Sequence, residues 1–132
     1  MTTELRRVLL VEDNADIRTV AKAALEMVGG LEVHACESGA AALAAVPSFQ
    51  PQLVLLDVMM PDMDGPGVLE RLREDPGTAR LPVVFLTAKT TGAERERLRA
   101  LGALDVLTKP FDPLTLHEKV NAAWAAWQGG QR

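Results

Sequence analysis

Three unbroken aliphatic runs, at residues 8–11, 53–56 and 83–86, limit what this chain can become more than any other feature, and Val106 with Leu107 adds a shorter fourth. A strand with one wet face alternates apolar and polar side chains. A run of four with no polar break instead fits a strand buried on both faces, as in a parallel sheet held between helices. Residues 31–36 do alternate, which suits an edge strand. Between the runs apolar residues recur with helical period: Ile17, Val20, Ala21, Ala24, Leu25 and Val28 form one stripe, and Gly29 and Gly30 end it. Further helices are marked by Ser38 before an alanine-rich turn, by residues 65–75 stopping at Pro76, by Thr91 with Glu94 as a capping box, and by Asp112 with Pro113. Strand then helix, five times over, predicts a doubly wound α/β fold with right-handed crossovers and helices on both faces of a parallel sheet.

A length of 132 residues has room for a single domain, with a core over about 5–127 and a loose tail or linker start at 128–132. At 48% hydrophobic and 24% charged, the chain can build a core without metal or disulfide staples. The net charge of -4 repels phosphate backbones and anionic lipid heads, so neither nucleic acid nor a membrane surface is the expected partner. Cys36 is the single cysteine and has no internal disulfide partner, which suits a reducing compartment. The first apolar run stops at Glu12, too short for a signal peptide. Residues 38–56 carry no charge, but Pro47, Gln50, Pro51 and Gln52 break them into helix, loop and strand rather than a membrane span. A cytoplasmic address is expected.

The polar residues that end the runs carry the chemistry. Glu12 and Asp13 follow the first run, Asp57 the second, Thr87 the third and Lys109 the fourth. All lie at carboxyl ends, the edge of an open α/β sheet where ligands bind. Two like charges 4 Å apart repel by about 4 kcal/mol at an effective dielectric of 20, so clustered carboxylates demand positive charge. Lys109 supplies one, and a hard divalent cation with oxygen ligands the rest; magnesium suits carboxylates beside a phosphate. His34, His117 and Cys36 lack zinc-ligand spacing.

These residues resemble the receiver domain of two-component response regulators over nearly the whole chain, in a size similar to the single-domain chemotaxis regulators. The matching segments are Val8-Leu9-Leu10-Val11-Glu12-Asp13, Leu55-Leu56-Asp57-Val58-Met59-Met60-Pro61 with Gly65, Leu86-Thr87-Ala88, and Lys109-Pro110-Phe111. The resemblance implies a flavodoxin-like, five-stranded sheet of order 2-1-3-4-5. It implies that Asp57 accepts a phosphoryl group from a sensor histidine kinase or histidine phosphotransfer protein. Asp13, Asp57 and the backbone carbonyl of Met59 would ligate Mg2+, with Glu12 acting largely through bound water. Lys109, after a cis Lys109-Pro110 bond, would pair with phosphoryl oxygens, and Thr87 would hydrogen-bond the phosphorylated aspartate. Such a domain is no conventional enzyme, but catalyses its own aspartyl phosphorylation and dephosphorylation. Its downstream protein target would meet the face built from the fourth helix, fifth strand and last helix.

Ionised at neutral pH, Asp57 would need no general base to attack phosphorus. Many receivers carry Tyr or Phe at the switch position three residues before the lysine; here Val106 stands, too small to swing, so output would run through the loop and helix near Thr87. Met59 and Lys89 occupy positions that tune acyl-phosphate lifetime in the family. Residues 92–101 form a charged helix with little but Leu98 and Leu101 to bury, either a plainly solvated face or a helix that signalling displaces cheaply. Helical spacing puts Trp127 in the core and leaves Trp124 to face a partner.

Rival chemistries fit less well. No glycine-rich phosphate loop follows the first run. The segment Asp62-Met63-Asp64-Gly65 lacks the frame of a calcium loop and the placement seen in haloacid-dehalogenase phosphatases. The remaining alternative is a receiver-like interaction module not controlled by phosphorylation.

Overall fold

The computed structural model describes residues 3–89 and 91–130. Its strands are β1 (Arg7–Val11), β2 (Glu32–Cys36), β3 (Leu53–Asp57), β4 (Val83–Thr87) and β5 (Asp105–Thr108). Its α-helices are α1 (Ala15–Ala23), α2 (Gly39–Phe49), α3 (Gly65–Glu74), α4 (Gly92–Ala100) and α5 (Leu116–Gly130). Every strand pair is parallel, and the order is β2-β1-β3-β4-β5. That is the flavodoxin-like sheet the resemblance implies.

The unbroken runs are explained by two cores. Val8, Leu10, Leu53, Leu55, Val84 and Leu86 pack with Leu25, Leu116 and Val120. Leu9, Val11, Val54, Leu56, Val83 and Phe85 alternate with them and pack with Leu69, Leu72 and Leu98. All twelve strand residues are 1% exposed or less, so each contributes about 2 kcal/mol of hydrophobic stabilisation. β2 lies at the edge as its alternation predicts, with Val33 and Cys36 buried and Glu32 and His34 exposed. No helix among the described residues is long and apolar enough to cross a membrane.

Helix starts follow their caps. Asn14, Ser38, Asp64 and Thr91 each accept a backbone N–H three residues on, and Glu94 turns its carboxylate to Arg97 at 2.6 Å instead of completing a box. Asp112 caps a turn through Leu114 N–H, so the last helix begins at Leu116 rather than at Pro113. Pro47 sits inside α2 without breaking it; the break comes at Gln50, whose φ of 52° is left-handed. A proline near a helix end forfeits one hydrogen bond, which the flanking alanine-rich turns tolerate.

The stripe on α1 is cut short. After Ala23 the chain widens into a π-helical segment, Ala24–Val28, closed by Gly29 N–H donating to Ala24 O, five residues back. Ala21, Ala24 and Leu25 are buried, but Val20 is 46% and Val28 45% exposed. Leu101, expected to be buried, is 47% exposed because α4 ends at Ala100 and only Leu98 of that helix reaches the core.

The tryptophans exchange places. Trp124 is 8% exposed and donates its indole N–H to Thr3 O at 2.7 Å, whereas Trp127 is half-buried and stacks on it at 5.1 Å between ring centroids. The segment before β1 covers Trp124, and Trp127 lies a turn beyond that cover. α5 carries on through Gly130 and so takes in residues 128–130, which composition assigns to a tail; residues 1, 2, 131 and 132 lie outside the described residues.

Candidate functional site

The strand order reverses between β1 and β3, where the chain first winds outward to β2 and then returns to the other side. A crevice opens at the carboxyl ends of such a pair. Val11 pairs with Leu56, so the next residues, Glu12 and Asp57, come side by side. Asp57 pairs with Leu86, and Lys109 N–H donates to Thr87 O at 2.8 Å, which brings the ends of β4 and β5 to the same edge.

Glu12, Asp13 and Asp57 each offer a carboxylate oxygen within 4.8 Å of the other two. Glu12 is fully buried, Asp57 is 3% exposed and Asp13 faces solvent. Lys109, reached through a cis Lys109-Pro110 bond, places Nζ 2.9 Å from Asp57 Oδ1 and 2.7 Å from Glu12 Oε1. The contact with Glu12 is an ion pair by distance but lacks hydrogen-bond alignment, so Oε1 stays buried with no hydrogen bond. Glu12 Oε2 accepts from Asn14 N–H at 3.1 Å. Thr87, 2% exposed, accepts from Lys89 N–H at 3.0 Å through its hydroxyl. His34, His117 and Cys36 take no part in the cluster.

Burial pushes the Asp57 carboxyl up to about 7; the nearness of Glu12 adds to this, Lys109 opposes it, and Asp13 adds again. The expectation of a fully ionised Asp57 therefore fails for the carboxyl group with only protein around it. Burial also works to lower Lys109, but its contacts with Glu12 and Asp57 outweigh that and hold the ammonium above its usual range. One lysine does not balance three clustered carboxylates. An all-oxygen donor set, with Lys109 the one ion-pair partner of its two buried carboxylates among the described residues, suits a hard divalent cation such as Mg2+.

Three features escape the strand-end pattern. Gly65 N–H donates to Val58 O, and a Cβ at Gly65 would stand 2.5 Å from Asp57 O, so glycine alone lets α3 start this close to the site. Arg18 donates from α1 to the carbonyls of Glu12 and Asp13, contacts for which residue type gives no signal. Beside Lys109 lies an apolar groove of about 460 Å³ lined by Ile17, Val20, Ala88, Pro110 and Phe111, with Asp16 at its edge. Val106 is 1% exposed in the core beneath α4, and Met59 is 63% exposed at the mouth of the site.

The sequence profile described as response regulator receiver domain matches residues 8–121. The chain is 38% identical over 116 residues to the ycf27 protein of Guillardia theta, covering 88% of this chain and 44% of that one. It is 40% identical over 118 residues to the response regulator PleD of Caulobacter vibrioides, covering 88% of this chain and 25% of that one. It thus spans less than half the length of either curated relative. Among solved structures, the chemotaxis response regulator CheY4 of Vibrio cholerae is 29% identical with a TM-score of 0.83, covering 90% of this chain and 98% of that one.

Proposed function

The chain belongs to the response regulator receiver domain family, whose members act in two-component signalling with histidine kinases or phosphotransfer proteins, and from that premise we propose that Asp57 is its phosphoacceptor. The observation that carries the assignment is the side-chain cluster at the sheet switch point, in which Asp57 lies within 4.8 Å of Glu12 and Asp13 oxygens and 2.9 Å from Lys109 Nζ. Asp13, Asp57 and the Met59 carbonyl would hold Mg2+ there, with Glu12 behind bound water. Bound, the ion supplies positive charge that keeps Asp57 ionised and offsets charge on the phosphoryl oxygens.

An Asp57 carboxylate oxygen forms the new bond to phosphorus as the bond from phosphorus to the donor's histidine nitrogen breaks. Carboxylate attack needs no base to remove a proton. Lys109, already at hydrogen-bond distance from Asp57, pairs with a phosphoryl oxygen and loses little entropy doing so. The product adds about -1.5 to -2 of charge at the end of β3. Thr87 then gives up Lys89 N–H and donates its hydroxyl toward the new anion, moving the loop that leads into α4.

α4 is suited to follow, since only Leu98 anchors it in the core and its exposed face carries Glu96, Arg97 and Arg99. With Val106 too small to swing, output passes through this loop and helix to a protein bound at the α4-β5-α5 face. Two measurements test the scheme. Incubated with Mg2+ and a small acyl phosphate, the protein is expected to show one phosphoryl adduct by intact mass, abolished by a chelator and by Asp57→Asn. No adduct would favour the phosphorylation-independent interaction module. With beryllium fluoride as phosphoryl mimic, backbone NMR shifts are expected from Thr87 through α4; changes confined to the neighbours of Asp57 would rule out this route.

A further inference from the structure

We propose that Arg18 is a positioning residue for the cation site, holding the main chain of Glu12 and Asp13 so that their carboxylates converge on Asp57 without itself occupying a carboxylate oxygen. The inference rests on the Mg2+-dependent function above. Arg18 Nη1 donates to Glu12 O at 2.9 Å and to Asp13 O at 3.3 Å. These are the consecutive peptide units that carry the acidic side chains, so one rigid guanidinium fixes both.

The same helix supplies the other anchors. Asn14 N–H donates to Glu12 Oε2 at 3.1 Å, and Asn14 Oδ1 accepts from Ile17 N–H at 3.0 Å as the cap of α1. The acidic loop is thereby tied to the helix it leads into, from the side away from the strands. Asp13 needs such a hold most, because its side chain faces solvent and the loop is all that aims it.

The two cations near the pocket divide the work. Lys109 takes carboxylate oxygens of Glu12 and Asp57 directly, whereas Arg18 brings its charge from behind and spends its donors on carbonyls. Arg18 therefore leaves the carboxylate lone pairs for the metal. Residues that orient metal ligands from outside typically change affinity by about 10- to 100-fold when removed.

Arg18→Ala and Arg18→Lys can be titrated with Mg2+ while the amide NMR shifts of residues 12–14 and 57 are followed. Lys22→Ala, which removes a half-buried ion pair between α1 and Glu26 of the π-helical segment, serves as control. Arg18→Ala is expected to weaken Mg2+ binding about tenfold. The Mg2+ concentration for half-maximal phosphorylation by a small acyl phosphate should rise by the same factor, with most of the maximal rate recovered at saturating Mg2+. Arg18→Lys should regain part of the affinity and Lys22→Ala should match wild type. Wild-type Mg2+ affinity in Arg18→Ala, or an equal loss in Lys22→Ala, overturns the proposal; if Arg18→Ala does not fold, Arg18→Gln decides by the same criterion. Wild-type protein that binds no Mg2+ would instead remove the underlying function, a result distinct from an Arg18 variant that binds as well as wild type.

Discussion

With Mg2+ chelated, the protein is expected to gain about 1 kcal/mol of folding stability as the pH is lowered from about 8 to about 6, and Asp57→Asn to abolish that gain. The Asp57 carboxyl stands at about 7 in the fold against an ordinary 3.8, chiefly because it is buried and secondly because Glu12 lies beside it. The fold therefore prefers the protonated form. Stability from that preference is complete below the unfolded value and is lost as pH rises to the folded one. At pH 8 the carboxylate is ionised in both states and its burial goes unrelieved, so Asp57→Asn should stabilise the Mg2+-free protein there by roughly 2–4 kcal/mol. Saturating Mg2+ favours the ionised carboxylate and should flatten the pH dependence of wild type. Denaturant unfolding of both proteins at three pH values, with chelator and with Mg2+, checks this; matching slopes for wild type and variant would show that Asp57 is not the group responsible.

Lys109→Ala should have the opposite sign and a similar size. It strands Glu12 and Asp57, both buried, with no other ion-pair partner for their carboxylates among the described residues. Breaking a buried pair on one side typically costs about 3–5 kcal/mol, since the remaining charge keeps its desolvation penalty. The chelated variant at pH 8 is expected to lose about 3 kcal/mol by denaturant titration. Near pH 6 the loss should shrink, because Asp57 takes up a proton instead of remaining a bare charge. Mg2+ should restore much of the difference, while the phosphorylated variant, lacking the ammonium that meets the phosphoryl group, should fail to move α4 in NMR. Equal stability of variant and wild type in chelator at pH 8 would mean that Lys109 does not neutralise the pocket.

How far the site was legible follows from how its residues are placed. Glu12, Asp13, Asp57, Thr87 and Lys109 each end an aliphatic run, and parallel strands bring their carboxyl ends to one edge, so the set was readable without coordinates. Arg18 was not, because its role lies in contacts with carbonyls, which leave no mark on residue type. The same limit produced the exchange of Trp124 and Trp127: helical period gives the angle of a side chain about its axis, but not whether a distant segment such as Thr3 arrives to cover it. A period of 3.6 likewise could not foresee the π-helical turn at Ala24–Val28, at whose end Val28 is 45% exposed.

The layering of this protein was settled by the amino-acid pattern, because burying four consecutive apolar residues leaves a strand no option but helices on both faces, whereas the strand order came with the family resemblance and the tertiary structure. The protonation of Asp57, the alignment of Lys109 and the clamp on the acidic loop were decided only in three dimensions. Those depend on depth from water and on angles between groups as far apart in sequence as Glu12 and Lys109, quantities that a linear chain does not contain.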